Sequence, residues 1–117
     1  MISITLCGGE KGELLKCKAM GHSEFAKKGS DVVCAAVSVL LRTVVLALEE
    51  KCLFDDTLKV ELLYQKRGEI EIEVVQCGRL SFEYLVFLFE FLRLGFQSLV
   101  SEYPEFVKLE CLINKKE

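Results

Sequence analysis

The stretch GHSEFAKKGSDVVCAAVS, from Gly21 to Ser38, contains the chain's one histidine, His22, and one of its six cysteines, Cys34. A cysteine nucleophile needs partial exposure, surroundings that favour thiolate, and a base or acid within reach. If Asp31 caps the helix that follows, Cys34 lies in its first turn. There, open backbone N–H groups and the positive end of the helix dipole favour a negative sulfur. A loop from Gly21 to Gly29 could bring His22 back over that helix end, where an imidazolium would favour the thiolate further and could give a proton to a leaving amine. Asp31, Cys34 and Ser38 are spaced i, i+3, i+7 and share one helix face. Asp31 could orient the imidazole or simply cap the helix, and Ser38 could bond to the sulfur or to a substrate carbonyl. The plain alternative stays open: a cysteine in VVCAAV packs in a core by default, and a lone loop histidine is a solvated surface group.

The other chemistry-bearing residues read as structural. Cys7, Cys17, Cys52, Cys77 and Cys111 have no histidine to spare, and Cys7 and Cys17 are expected to face each other across a hairpin. No C-x-x-C occurs, and one histidine does not support a Cys/His zinc site, so no metal is expected. Scattered thiols in apolar segments, with no secretory leader pattern before the alternating ISITLC, point to reduced cysteines in the cytoplasm. Gly8-Gly9 is a turn and not a phosphate loop, and Glu69, Glu71 and Glu73 are expected to form a solvated strand face.

The elements that must position these residues follow from periodicity. Met1–Cys7 alternates Ile2, Ile4 and Leu6 with Ser3 and Thr5, as a half-buried strand does. Gly8–Gly12 turns the chain, and Glu13–Ala19 is a second strand. Met20–Ser30 has no clear period and is expected to be a mobile loop. A helix capped by Ser30 or Asp31 should run to about Glu50 or Lys51. Apolar residues surround nearly its whole circumference, so burial on more than one side is expected. Leu58–Tyr64 and Ile70–Cys77 form a second hairpin, with Ile70, Ile72 and Val74 on one side and glutamates on the wet one. Leu80–Glu102 is a second helix, capped by Ser81, with Phe82, Leu85, Phe89 and Leu92 as its core stripe. Phe87 and Phe91 lie elsewhere on its circumference, and Pro104 ends it. Phe106–Ile113 supplies a short last strand. The order is ββαββα plus that strand: a two-layer α/β (α+β) domain spanning 1–117, with an antiparallel or mixed sheet packed against two helices.

Length and composition agree with a single domain that needs no staples: 117 residues bury roughly two-thirds of the unfolded chain's surface. Fifteen basic against eighteen acidic residues give a net charge of -3, which offers no general field for nucleic-acid phosphates. The apolar runs Val32–Leu48 and Leu80–Val100 are short or charge-interrupted for a bilayer span and read as buried helices, so no membrane partner is expected. A hydrophobic content of 51% and a mean hydropathy of +0.32 suggest that some apolar surface is covered in an oligomer.

Taken together, Gly21-His22, Gly29, Asp31, Cys34-Ala35-Ala36 and Ser38 closely resemble the signature of the ribosomal-processing cysteine protease family, Prp. The order of elements resembles that family along the whole chain. The resemblance implies a cytoplasmic, cofactor-free, homodimeric endopeptidase. Its implied substrate is the N-terminal extension of a large-subunit ribosomal protein. It further implies Cys34 as nucleophile, His22 as the activating base, Asp31 and Ser38 as neighbours of the site, and Gly21 and Gly29 as ends of a loop that closes over the peptide. Ser23 stands where the family commonly has alanine, which bears on loop contacts with substrate. Two other classes compete: a non-catalytic ribosome-associated binding module in which Cys34 only packs, and a thiol redox protein using Cys34.

Overall fold

The alternation of apolar and polar residues in the first strand folds as the pattern requires. In the computed structural model, which describes residues 1–21, 30–66 and 69–113, β1 (Ile2–Gly8) and β2 (Leu14–Met20) pair antiparallel. Ile2, Ile4 and Leu6 point to a dry face and Ser3, Thr5 and Cys7 to the other, following the two-residue period of a strand. The turn between the strands closes with Gly12 N–H donating to the Gly9 carbonyl, at a φ of 87° that glycine adopts without strain.

After α1 (Ser30–Cys52) come β3 (Lys59–Lys66) and β4 (Glu69–Gln76), then α2 (Phe82–Glu102) and β5 (Val107–Ile113). The five strands form one sheet in the order β3-β4-β2-β1-β5. All neighbours are antiparallel except β1 and β5, which run parallel with Ile2 opposite Val107 and Leu6 opposite Cys111. The sheet is therefore mixed. The last strand reaches β1 because α2 carries the chain back along the sheet, the crossover that a parallel pair requires.

The core lies between this sheet and the two helices. It joins Ile4, Leu6, Cys17 and Ile72 of the sheet to Val33, Val37, Leu41, Val44 and Leu48 of α1 and Leu85, Leu88, Phe89, Leu92 and Phe96 of α2. The opposite sheet face is polar and laddered by charge: Lys16 stands opposite Glu73, Lys18 opposite Glu71, and the Lys16 ammonium lies 3.4 Å from the Glu71 carboxylate. The expected wet face of β4 is thus a solvated ladder.

Three expectations need correction. Cys7 and Cys17 do not face each other: the register sets Cys7 against Lys16 and Cys17 against Leu6, so the two thiols lie on opposite faces. The first helix begins at Ser30, so Ser30 and Asp31 lie inside its first turn and neither is the cap. An acidic residue there is stabilised by the helix dipole as well as at the cap itself. Finally, α1 is not buried on several sides within the chain, since Val32, Val39 and Leu46 are exposed.

Candidate active site

Cys34 is the fifth residue of α1, just beyond the turn in which the sequence placed it. It is half-buried and packs against the core from the helix flank. The sulfur therefore sits one turn inside the start of α1. Ser38, one turn further on, is exposed.

The side of α1 that carries Cys34 is set by helix packing. Gly95 of α2 approaches the Leu40 side chain so closely that a Cβ there would lie 3.1 Å from it. Leu40 and Cys34 are about 120° apart on a helix of 3.6 residues per turn. Cys34 thus looks away from α2.

Gly21 is the last residue of the first described stretch. Its φ of 106° lies in the region that favours glycine, and a Cβ at this position would collide with the Met1 carbonyl oxygen. The chain consequently leaves β2 pressed against the start of β1, at one end of the sheet. Strand register gathers further segments at that end: Met20 pairs with Ser3 and Glu69, and Ile2 with Val107. His22 and Gly29 lie outside the described residues, as does the Asp31 side chain. Of the residues singled out in the sequence, Gly21, Cys34 and Ser38 are those whose surroundings are defined.

Of the remaining thiols, Cys17 lies in the core, Cys7, Cys52 and Cys77 are half-buried, and Cys111 is exposed on β5. Burial pushes the Cys17 thiol far above its ordinary range, and burial likewise raises Cys7, Cys77 and Cys111, which keeps all four protonated at neutral pH. The Cys52 thiol donates to the Leu58 carbonyl at 3.4 Å and that of Cys77 to the Gly78 carbonyl at 3.1 Å.

Sequence reasoning overlooked a buried polar knot beyond the other end of α1. Asp55, almost fully buried, accepts from the Thr57 N–H at 2.9 Å, the Thr57 hydroxyl at 2.6 Å and the Ser81 hydroxyl. Ser81 occupies the N-cap position of α2, but its side chain makes no capping bond; its hydroxyl donates to Asp55 instead. The signal was the aspartate in the short connection Leu53–Thr57, since an aspartate that bonds two residues ahead makes an Asx-turn. The knot fastens the end of α1 to the start of α2 and so holds the two helices in place.

Comparison with known proteins adds to this geometry. The profile of the cysteine protease Prp family matches residues 1–108. The crystal structure of SMU.848 from Streptococcus mutans shares 30% identity with a TM-score of 0.75, covering 97% of this chain and 96% of that one. The essential ribosomal processing protease Prp from S. aureus, in complex with a substrate peptide, shares 20% identity with a TM-score of 0.75, covering 95% and 99%. The same S. aureus protease with a covalently linked product peptide gives 19% identity and a TM-score of 0.69, with the same coverage. A search of curated protein sequences returned no match.

Proposed function

The chain belongs to the cysteine protease Prp family and is a cysteine protease, and from that premise we propose that it is an endopeptidase that removes the N-terminal extension of a large-subunit ribosomal protein. Cys34 is the nucleophile and His22 the base that activates it. Asp31 and Ser38 flank the site, and Gly21 and Gly29 are the hinges of the loop that carries His22. The enzyme works in the cytoplasm as a homodimer and needs no cofactor.

The single observation that carries this reading is the seat of Cys34. It is a half-buried cysteine one turn inside the start of α1, on the flank turned away from α2. Four of the other five thiols are held protonated by burial, and Cys52 is engaged with a backbone carbonyl.

The chemistry follows from that seat. A peptide lies extended beside α1, with Ala35 leaving room for its backbone. His22 takes the Cys34 proton, and the sulfur attacks the scissile carbonyl. The developing oxyanion is held by backbone N–H groups near the helix start. The protonated imidazole gives its proton to the leaving amine, which departs with the mature protein. Water, deprotonated by His22, then hydrolyses the thioester and restores the thiol. A loop that closes only around the correct peptide restrains the enzyme toward other proteins.

The test is a rapid acid quench during turnover of a precursor peptide, followed by mass mapping. The extension should be found as a thioester on Cys34, and it should be absent in Cys34→Ala. An acyl group on any other cysteine would contradict the assignment.

A further inference from the structure

The side of α1 that carries Cys34 is covered near one end of the helix and bare near the other. Leu40 meets α2, and α2 packs over β5, β1 and β2, so the flank bearing Cys34 faces the β3 side of the sheet. Val45 and Cys52 follow Cys34 by 11 and 18 residues, about three and five whole turns, and lie on the same flank. There the flank rests on the chain entering β3: the Cys52 thiol meets the Leu58 carbonyl at 3.4 Å, and Val45 is buried. Towards the start of α1 the cover ends, with Ser38 exposed and Cys34 half-buried.

The sheet beneath is bare on the same side. Leu62 of β3 pairs with Ile72 of β4, which is buried in the core, so both side chains point towards the helices. Leu62 is nevertheless 38% exposed. The register then slips, with Leu62 opposite Ile72 but Tyr64 opposite Glu71, so Leu63 is the extra residue of a bulge. β3 is the edge of the sheet, and Ile70, two residues along β4 from Ile72, is half-buried against the core. Leu62 and Ile70 thus form an apolar shelf beneath the uncovered flank of α1.

Lengths along the elements relate the shelf to the sulfur. Cys34 lies about 27 Å back along α1 from Cys52. Leu62 lies about 13 Å along β3 from Leu58, which Cys52 touches, and Ile70 about 7 Å further towards the same end. An extended peptide with its scissile carbonyl at Cys34 therefore comes level with Ile70 after about two residues and with Leu62 after about four. Residues two and four share one face of an extended chain.

We propose that Leu62 is a specificity-determining residue: it seats an apolar side chain at the fourth residue before the scissile bond, on the shelf it shares with Ile70. This deepens the proposed function and rests on Cys34 being the nucleophile. The extension takes the shelf, and the mature part does not. A mature ribosomal protein carries Lys and Arg for RNA phosphates, and desolvating such a charge over Leu62 and Ile70 costs free energy that an apolar side chain does not lose.

The test is kcat/KM for peptides spanning the cleavage site of the precursor ribosomal protein, six residues before the cut and four after. The fourth residue before the cut is set to Leu, Ala, Glu or Lys, and each peptide is given to wild type, Leu62→Lys and Leu62→Ala. Wild type should prefer Leu to Glu by about 10–100-fold. Leu62→Lys should reverse that order, and Leu62→Ala should lower the preference for Leu over Ala by about 10-fold. A peptide shortened to begin three residues before the cut does not reach Leu62, and all three proteins should cut it equally. If Leu62→Lys fails to fold, the Leu62→Ala comparison decides. An unchanged preference in a folded variant, or an equal loss on the shortened peptide, would overturn the proposal; a thioester on Cys34 in those reactions would leave the protease reading standing. No acylation of Cys34 by any peptide would overturn both.

Discussion

Position in the fold, more than burial, distinguishes the cysteines. Cys17 is fully buried opposite Leu6 and serves as a small apolar group, whereas the half-buried Cys34 alone lies one turn inside a helix start. Residue types and spacing in GHSEFAKKGSDVVCAAVS single out Cys34 as the candidate, because only there does the sequence set a histidine and a helix start close to a cysteine along the chain. The role of Asp55 was not legible in the same way. Its partner Ser81 is far along the chain, and no local pattern announces a contact made only once both helices have packed. The three hydrogen bonds from Ser81 and Thr57 hold the Asp55 carboxyl below its ordinary value of 3.8. The sign follows from linkage: the unfolded chain takes up the proton first, so this stabilisation is full above about pH 4 and is lost as pH falls through the lowered value. Denaturant titrations between pH 6 and pH 2 should show that fall in the wild type and a shallower one in Asp55→Asn. Ser81→Ala, which leaves one carboxylate oxygen without its partner, should lower Tm by about 4–8 °C at pH 7.

Element by element, the two-residue and 3.6-residue periods placed all five strands and both helices to within about two residues. What periodicity could not settle was pairing. β5 joins β1 in parallel because α2 returns the chain across the sheet, a fact of tertiary path and not of local sequence. The start of α1 was read one or two residues late, since Ser and Asp serve equally as caps and as first-turn residues. Gly21 belongs to this scale, because it sets how the chain leaves β2. Replacement by alanine combines a left-handed backbone with a collision against the Met1 carbonyl. Gly21→Ala should cost about 1–3 kcal/mol of stability, measured by urea unfolding, and should reduce kcat/KM for a precursor peptide more than Tm alone would suggest. Full activity in Gly21→Ala would remove this residue as a hinge.

At the scale of the whole molecule, the sheet's polar ladder and the helices' apolar outer faces make the two sides of the domain unlike. By length and apolarity alone, α2 and most of α1 would pass for membrane spans, yet each lays one face on the sheet and turns the other outward. The excess of hydrophobic residues visible in the composition is located on that outer side. Composition announces the apolar excess but not its place, because which residues of α1 and α2 face outward is settled only once the helices lie on the sheet. The central claim concerns the other feature of the molecule, the half-buried Cys34 near the start of α1. Its most direct test is cleavage of a precursor ribosomal protein carrying its N-terminal extension, read by intact mass, with wild type, Cys34→Ala and His22→Ala. A single cut at the end of the extension, slowed by at least about 1,000-fold in both variants, is the predicted result. Unchanged cutting by either variant, or no cut by folded and reduced wild type, would contradict it.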